Sequence, residues 1–431
     1  MSRSEGLSQW ISTVSTHLPH LSKPQAHVLA LWSYGMVFAQ SCATTTVATF
    51  LALLLHCSAG ALRERLREWC YAAPDKKGTH RQEVDVTTCF APLLRWVLTW
   101  WASDERRLVL ALDATTLGQR FTVLAISVVY RGCAIPIAWM VVGATSKGAW
   151  RPHWEALFTT VKAGMPPDWT VLVLADRGLY ARWLFVQIRA VGWHPFLRIN
   201  QGGQCRPHGQ TQFRPLATLV PQVGASWQGV IDCFVTPACR LTCTLLARWD
   251  APHAEPWLVL TDLPPEVADC AWYGMRSWIE CGFKDTKRGG WQWQQTKMTD
   301  PQRAGRLWLA IAVATLWVVS VGGAAEADLP ASSIEALPPL HVARKRARRA
   351  ARPRLISCFK RGVLTIQERS AHHLGSRTGG VSAAARALPA GGVAAFPYGP
   401  ERSSSRVSTA RGTGRVKNLP RKGVSWGMPI S

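Results

Sequence analysis

Acidic residues are scarce in this chain of 431 residues: 26 Asp and Glu stand against 50 Lys and Arg, a formal net charge of +24. The deficit is deepest toward the C-terminus, where the stretch from His341 onward holds 19 basic residues and two acids, Glu368 and Glu401. About 17 of the 24 charges therefore belong to that tail, and the first 340 residues are only mildly basic. A basic tail attracts any polyanion, so a nucleic-acid assignment has to rest on the body. Paired cysteines are missing too. The 12 cysteines include no Cys-x-x-Cys, and the closest pair, Cys239 and Cys243, has no second pair to complete a metal knuckle. No apolar run reaches the ~20 residues that cross a bilayer, so residues 47–55 and 307–321 read as buried helices and no membrane partner is expected. Glu5 and other polar residues precede any apolar run, against a secretory leader. Reduced thiols in a cytoplasmic compartment are the expectation.

What is present is ample core material. Hydrophobic residues make up 48% of the chain, and the length suits two or three units at roughly 150 residues each. Residues 1–104 read as helical, with 25–38 and 43–56 apolar and 61–69 a charged amphipathic helix carrying Arg63, Arg65 and Arg67. The pattern then changes. Residues 108–113 (LVLALD), 122–130 (TVLAISVVY) and 134–142 (AIPIAWMVV) are β-type runs, the last two joined by the turn Arg131-Gly132. A helix over 150–162, a buried strand over 170–176 (TVLVLAD), a helix over 179–191 and a strand over 194–199 follow. Three strands, helix, strand, helix, strand imply an α/β fold with a mixed sheet and helices on its faces. Asp113 and Asp176 both stand at the C-terminal ends of predicted strands, the edge where open α/β sheets usually place their chemistry.

Residues 201–267 interrupt this pattern as a β-rich insertion, with short strands expected at 212–219, 227–235, 240–249 and 257–261. After Pro264-Pro265, residues 266–287 read as one long helix, and 302–321 as a buried helix that completes a second part of the core, 268–323. Residues 324–431 are dominated by Ala, Arg, Gly, Ser and Pro and read as a disordered basic tail.

The segment YGMRSWIECGFKDTK, residues 273–287, concentrates the chemistry. On a helix at ~100° per residue, Tyr273, Arg276, Glu280 and Lys287 share a stripe about 60° wide, with Trp278, Ile279 and Phe283 left for packing. A solvated face with an Arg276–Glu280 pair at i,i+4 would show the same spacing. Asp113 and Asp176 change the balance, because with Glu280 they make a three-carboxylate set. Such a set can hold two divalent ions about 4 Å apart for phosphodiester chemistry. Carboxylate oxygens suit Mg²⁺ or Mn²⁺ over softer metals.

Here the sequence resembles the DDE transposases of the insertion-sequence 4 type, built on an RNase H-like catalytic core. Their signature Tyr-x2-Arg-x3-Glu-x6-Lys is met by Tyr273, Arg276, Glu280 and Lys287, and LALDATTL and LVLADRGLY are similar to their two Asp motifs. The resemblance covers about residues 20–322, insertion included. It implies Asp113, Asp176 and Glu280 as catalytic metal ligands, and Tyr273, Arg276 and Lys287 as contacts to phosphates near an element end. Lys284 and Arg288 are candidates to extend that face. The implied reaction is nicking at the ends of a mobile element followed by attack of the freed 3′-hydroxyl. The partners would be double-stranded DNA, the element's terminal inverted repeats and target DNA, engaged by a homodimer on paired ends, in a bacterial cytoplasm and on the nucleoid when bound. Some relatives pass through a hairpin with a flipped base on an aromatic, for which Trp227, Trp249 and Trp257 are candidates.

Helix 61–69 could read DNA through its arginines or present an ordinary charged face. Lys147, Arg151 and His153, ahead of a helix, could touch backbone phosphates. Two other functions share these features: a metal-dependent nuclease on the same core, and a decayed or domesticated DNA-binding protein without catalysis. The tail departs from the family plan. It is either a non-specific DNA tether or the product of a shifted reading frame, and its lack of charge pattern or repeat favours the second.

Overall fold

The computed structural model describes residues 3–79, 81–101, 106–145, 150–251, 253–325 and 356–375, the last five without side chains. These lie within one compact unit, Met1–Gly379. Among the described residues ten strands form a single sheet in the order β3-β2-β1-β4-β5-β10-β9-β8-β6-β7. The first five are β1 (Arg107–Leu117), β2 (Phe121–Tyr130), β3 (Cys133–Gly143), β4 (Thr170–Ala175) and β5 (His194–Arg198). The first three run antiparallel to one another, while β4 and β5 run parallel to β1. This is the RNase H-like arrangement. The turn between β2 and β3 is a two-residue connection in which Arg131 and Gly132 both take positive φ (47° and 81°). Such a turn matches the twist of its flanking strands, and glycine enters the left-handed region without steric cost. Every residue of β2 is buried, which explains its unbroken apolar run.

The insertion is not a separate layer. Its strands β6 (Gln204–Pro207), β7 (Arg214–Pro215), β8 (Ser226–Cys233), β9 (Leu241–Arg248) and β10 (Trp257–Thr261) extend the same sheet, because β10 pairs antiparallel with β5. The strand expected over 212–219 shrinks to the two residues of β7 followed by a 3₁₀ turn, Leu216–Leu219.

Among the described residues five α-helices precede the sheet: α1 (Arg3–His17), α2 (Lys23–Ala39), α3 (Thr44–Leu55), α4 (Ala59–Trp69) and α5 (Phe90–Leu98). Ser22 and Gln25 form a reciprocal capping box at the start of α2. Helices α6 (Arg151–Lys162) and α7 (Arg182–Ala190) follow β3 and β4. Helix α8 (Ser277–Lys284) lies against β1, β2 and β3, and Gly282 lets it approach closely: a Cβ there would stand 3.0 Å from the Ala134 carbonyl.

Helix α9 (Pro301–Ala324) organises the core. Among the described residues it alone is long and apolar enough to cross a membrane unaided, and 78% of its apolar window is buried inside the protein. It packs on β3, α2 and a further helix, stacks Trp317 on Trp10 of α1 at 4.4 Å, and sends Arg306 to the carbonyls of Val84 and Cys70. That further helix, α10 (Cys358–Gly375), corrects the expectation of disorder for part of the tail. Phe359, Val363 and Ile366, at i, i+4 and i+7, give it a buried stripe that averaged composition hides. The rest of the expected disordered tail lies outside the described residues.

Candidate active site

Strand register brings the two aspartates together. The last parallel pair between β1 and β4 is Leu112 with Ala175, so Asp113 and Asp176 are the next residues on neighbouring strands. Strand β1 does not end at Asp113, as its apolar run suggests. It continues to Leu117 because Ala114–Leu117 still pair with Leu124–Phe121 of β2. Beyond Ala175 the chain leaves the sheet in a turn where Asp176 Oδ1 accepts from the backbone N–H of Gly178 (2.9 Å) and Leu179 (3.3 Å). Its other oxygen, Oδ2, is left facing the site.

The long helix expected over 266–287 is three pieces. A 3₁₀ helix (Cys270–Arg276), capped by the Asp269 side chain at Ala271 N–H, precedes α8, and a π-type turn (Asp285–Gly289) follows. At Lys287 the backbone leaves helical geometry (φ −93°, ψ −124°). Continuous 100° periodicity therefore does not hold across the segment, and tertiary contacts set where each side chain lies.

Arg276, at the junction of the 3₁₀ helix and α8, stands at the centre. Its Nη2 donates to Asp113 Oδ2 (2.8 Å) and to Asp176 Oδ2 (3.2 Å), and its Nη1 donates to Glu280 Oε1. One guanidinium, 14% exposed, thus joins all three carboxylates, which are 16%, 33% and 60% exposed for Asp113, Asp176 and Glu280. Its Nε is buried without a hydrogen-bond partner. Burial pushes the Asp113 carboxyl up to about 6, with the two neighbouring carboxylates adding to the rise and Arg276 and the Ala114 N–H opposing it.

Lys287 reaches back to the same strand, donating to Thr115 Oγ1 (2.8 Å) and the Thr116 carbonyl (3.0 Å). Thr115 follows Asp113 by two residues and so shares its face of β1, about 6.6 Å along the strand. Burial lowers the Lys287 ammonium below its usual range. Tyr273 is 4% exposed and meets Trp257 edge-on at 5.2 Å, and burial raises its phenol. Lys284 and Arg288 are exposed. Of the three tryptophans, Trp257 touches the site through Tyr273. Trp249 donates to the His253 carbonyl, and Trp227 lines a cavity of about 360 Å³ with Arg248 and Asp269. Arg151 pairs with Glu155 at 2.7 Å, His153 is half-buried, and Lys147 lies outside the described residues.

Thr115 and Thr116 are the site neighbours that sequence motifs do not mark. Period-2 alternation along LALDATTL is the signal that puts Thr115 beside Asp113. The donor chemistry suits a hard divalent cation, since three carboxylates from three elements already converge on one positive charge. Among the described residues no group of three or more acidic, His or Cys side chains is arranged to hold a metal directly. Arg276 lies between the carboxylates.

An RNase H-like sheet with aspartates at adjacent strand positions, faced by a glutamate on a helix laid across the first three strands, is the architecture of a DDE-type core. Residues 104–317 match the model of the transposase DDE domain family. No curated protein matches it. Among solved structures it is similar to a piggyBac transposase, described as a synaptic complex with hairpin DNA determined by cryo-EM. That likeness has 12% identity and a TM-score of 0.38, over 84% of this chain and 78% of that one.

Proposed function

We propose that this chain is a transposase of the insertion-sequence 4 type, cutting DNA at the ends of its mobile element and joining the freed 3′-hydroxyl to a target. The observation that carries the reading is the convergence of Asp113, Asp176 and Glu280, from β1, the end of β4 and α8, on a single cation. In this reading the three carboxylates hold two Mg²⁺ or Mn²⁺ ions. Such ions, when bound, activate the attacking water or 3′-hydroxyl and stabilise the leaving oxygen.

The chain's own residues supply the rest. Lys287, tethered to Thr115 and Thr116, keeps a positive charge beside the carboxylates on the same face of β1, where a scissile phosphate would lie. Arg276 offers a planar donor for a phosphate, and Lys284 and Arg288, exposed on the same segment, extend the backbone contact. Tyr273, buried against Trp257, steadies the 3₁₀ helix that delivers Arg276. Two copies acting on paired terminal inverted repeats would give coordinated cutting.

Recognition of the ends is assigned to the N-terminal helices. Helices α3 and α4 are joined by the three residues 56–58, with His56 in the left-handed region and Ser58 accepting from Ala61 N–H to cap α4. Short turns of this kind join the two helices of helix-turn-helix units. Helix α4 buries Leu62, Leu66 and Trp69 and exposes Arg63, Arg65 and Arg67.

The test is cleavage of a supercoiled plasmid carrying the gene's own flanking DNA, with Mg²⁺ or Mn²⁺, by wild type and Glu280→Gln. Nicking at the element boundary by wild type alone supports the reading. Nicking without regard to the boundary would indicate a nuclease. Binding without cutting, under every metal condition, would indicate a non-catalytic DNA-binding relic.

A further inference from the structure

We propose that Arg276 is a resident cation, occupying the place among the three carboxylates that a divalent ion would take and yielding it when that ion arrives. The inference rests on the reading of Asp113, Asp176 and Glu280 as metal ligands and adds a role for the arginine between them. Three observations carry it. First, the two Nη atoms of one guanidinium reach carboxylates from three separate elements, which nothing else among the described residues joins side chain to side chain. Second, Arg276 is mostly buried, yet its Nε has no hydrogen-bond partner. Its location is therefore set by the charge of the carboxylates and not by full satisfaction of its own donors. Third, it stands at the junction between the 3₁₀ helix and α8 and not on either strand that carries an aspartate, so its departure breaks its own three ion pairs but leaves the pairing of β1 with β4 intact.

The electrostatics require a cation at this point. Asp113 and Asp176 stand at adjacent positions next to the last β1–β4 pair, and Glu280 meets the same guanidinium, so three carboxylates share one small volume. A guanidinium and a metal ion cannot both sit among the same oxygens. Metal binding therefore competes with Arg276, and the apparent affinity is reduced by the fraction of molecules in which the arginine has already left. Displaced from the carboxylates, the guanidinium becomes free to take a DNA phosphate. Occupancy of the site and grip on the backbone are coupled through one side chain.

The role has a readout whose sign separates it from plain structural support. If Arg276 competes with metal, Arg276→Gln raises affinity; if it only braces the fold, the same change splays the carboxylates and lowers it. The experiment is a Mn²⁺ titration of the full chain without DNA, read by the EPR signal of free Mn²⁺, on wild type, Arg276→Gln, Arg276→Lys and Asp113→Asn, with circular dichroism to establish that each is folded. The expected result is binding about tenfold tighter or more in folded Arg276→Gln, with Arg276→Lys in between and Asp113→Asn weak. Equal or weaker binding by folded Arg276→Gln overturns the inference while leaving the metal reading intact. An Arg276→Gln protein that does not fold also overturns it, since the side chain would then be a structural brace. Mn²⁺ binding by Asp113→Asn equal to that of wild type, or no binding by any folded form, overturns the metal reading, and the inference with it.

Discussion

Replacing Gly362 with alanine tests whether the tail helix α10 is a built part of this fold. Gly362 faces α9 so closely that a Cβ would stand 1.7 Å from the Val318 carbonyl oxygen and 2.6 Å from its carbon. The contact is reciprocal: a Cβ on Gly322 of α9 would stand 2.0 Å from the Cys358 carbonyl oxygen. To restore ordinary contact near 3.4 Å the helices must separate by roughly 1.5 Å, and a gap of even ~1 Å forfeits up to half of a dispersion well. The face at risk is Cys358, Phe359, Val363 and Ile366, all buried, at ~1.5–3 kcal/mol for each large side chain. Losing about half of that costs ~3–5 kcal/mol of docking. Alanine's better helix propensity returns ~1 kcal/mol, leaving a net loss of about 2–4 kcal/mol. The assay is limited trypsinolysis at Lys360, Arg361 and Arg369, with hydrogen exchange across α9 and α10. Gly362→Ala should expose those sites to cleavage, while Leu364→Ala, at a position 45% exposed, should stay within about 0.5 kcal/mol of wild type. A Gly362→Ala protein as protected as wild type, or more so, would refute the close packing of α9 and α10.

Two pH dependences follow from buried acids. Burial raises the Asp285 carboxyl from 3.8 to about 7, with Lys284 opposing the rise. A raised folded value means that Asp285 favours the native state below about pH 4, and that this contribution fades as pH climbs through 7. The full span corresponds to ~4 kcal/mol, and partial contact with water reduces it to roughly 2 kcal/mol. Asp285→Asn should therefore raise the unfolding midpoint at pH 8 and change it little at pH 4, and an equal effect at both would exclude this origin. If Asp113 is a metal ligand, as proposed, an ion binding there must displace the proton that Asp113 holds at about 6. Mn²⁺ affinity should be level above pH 7 and fall about tenfold per pH unit below 6, and a flat profile from 5 to 8 would mean that Asp113 is not a ligand.

Much of the core was legible because its signals are local. Strands β2 and β3, their two-residue turn at Arg131-Gly132, and β4 are apolar runs with punctuation between them, and the structure keeps them within a residue or two. The insertion's strands were legible, but not their destination. That β10 pairs with β5 and extends the core sheet is a long-range choice, and a local pattern carries no record of a strand's neighbour. The tail failed for another reason. Averaged composition from residue 324 onward looks unable to bury a core, yet the segment FKRGVLTI within it carries Phe359, Val363 and Ile366 at helical spacing beside a glycine that fits only against another backbone. A segment with that spacing and that contact is not what a shifted reading frame produces by default, so the frame account loses ground at least through α10.

The candidate site shows the same division within one motif. Spacing alone put Tyr273, Arg276, Glu280 and Lys287 on a common stripe, and the helix that this argument assumed is broken on both sides of α8. What gathers these residues is the sheet beneath them. Leu112 pairs with Ala175, which sets Asp113 beside Asp176. Gly282 seats α8 against Ala134, which holds Glu280 over the first three strands. Thr115, on the same face as Asp113, then gives Lys287 its anchor even though its backbone is no longer helical. Each placement depends on residues far away in sequence, from 63 positions for Leu112 and Ala175 to 172 for Lys287 and Thr115. A motif written as spacings records which side chains are needed, while strand register and one small residue under a helix decide where they meet.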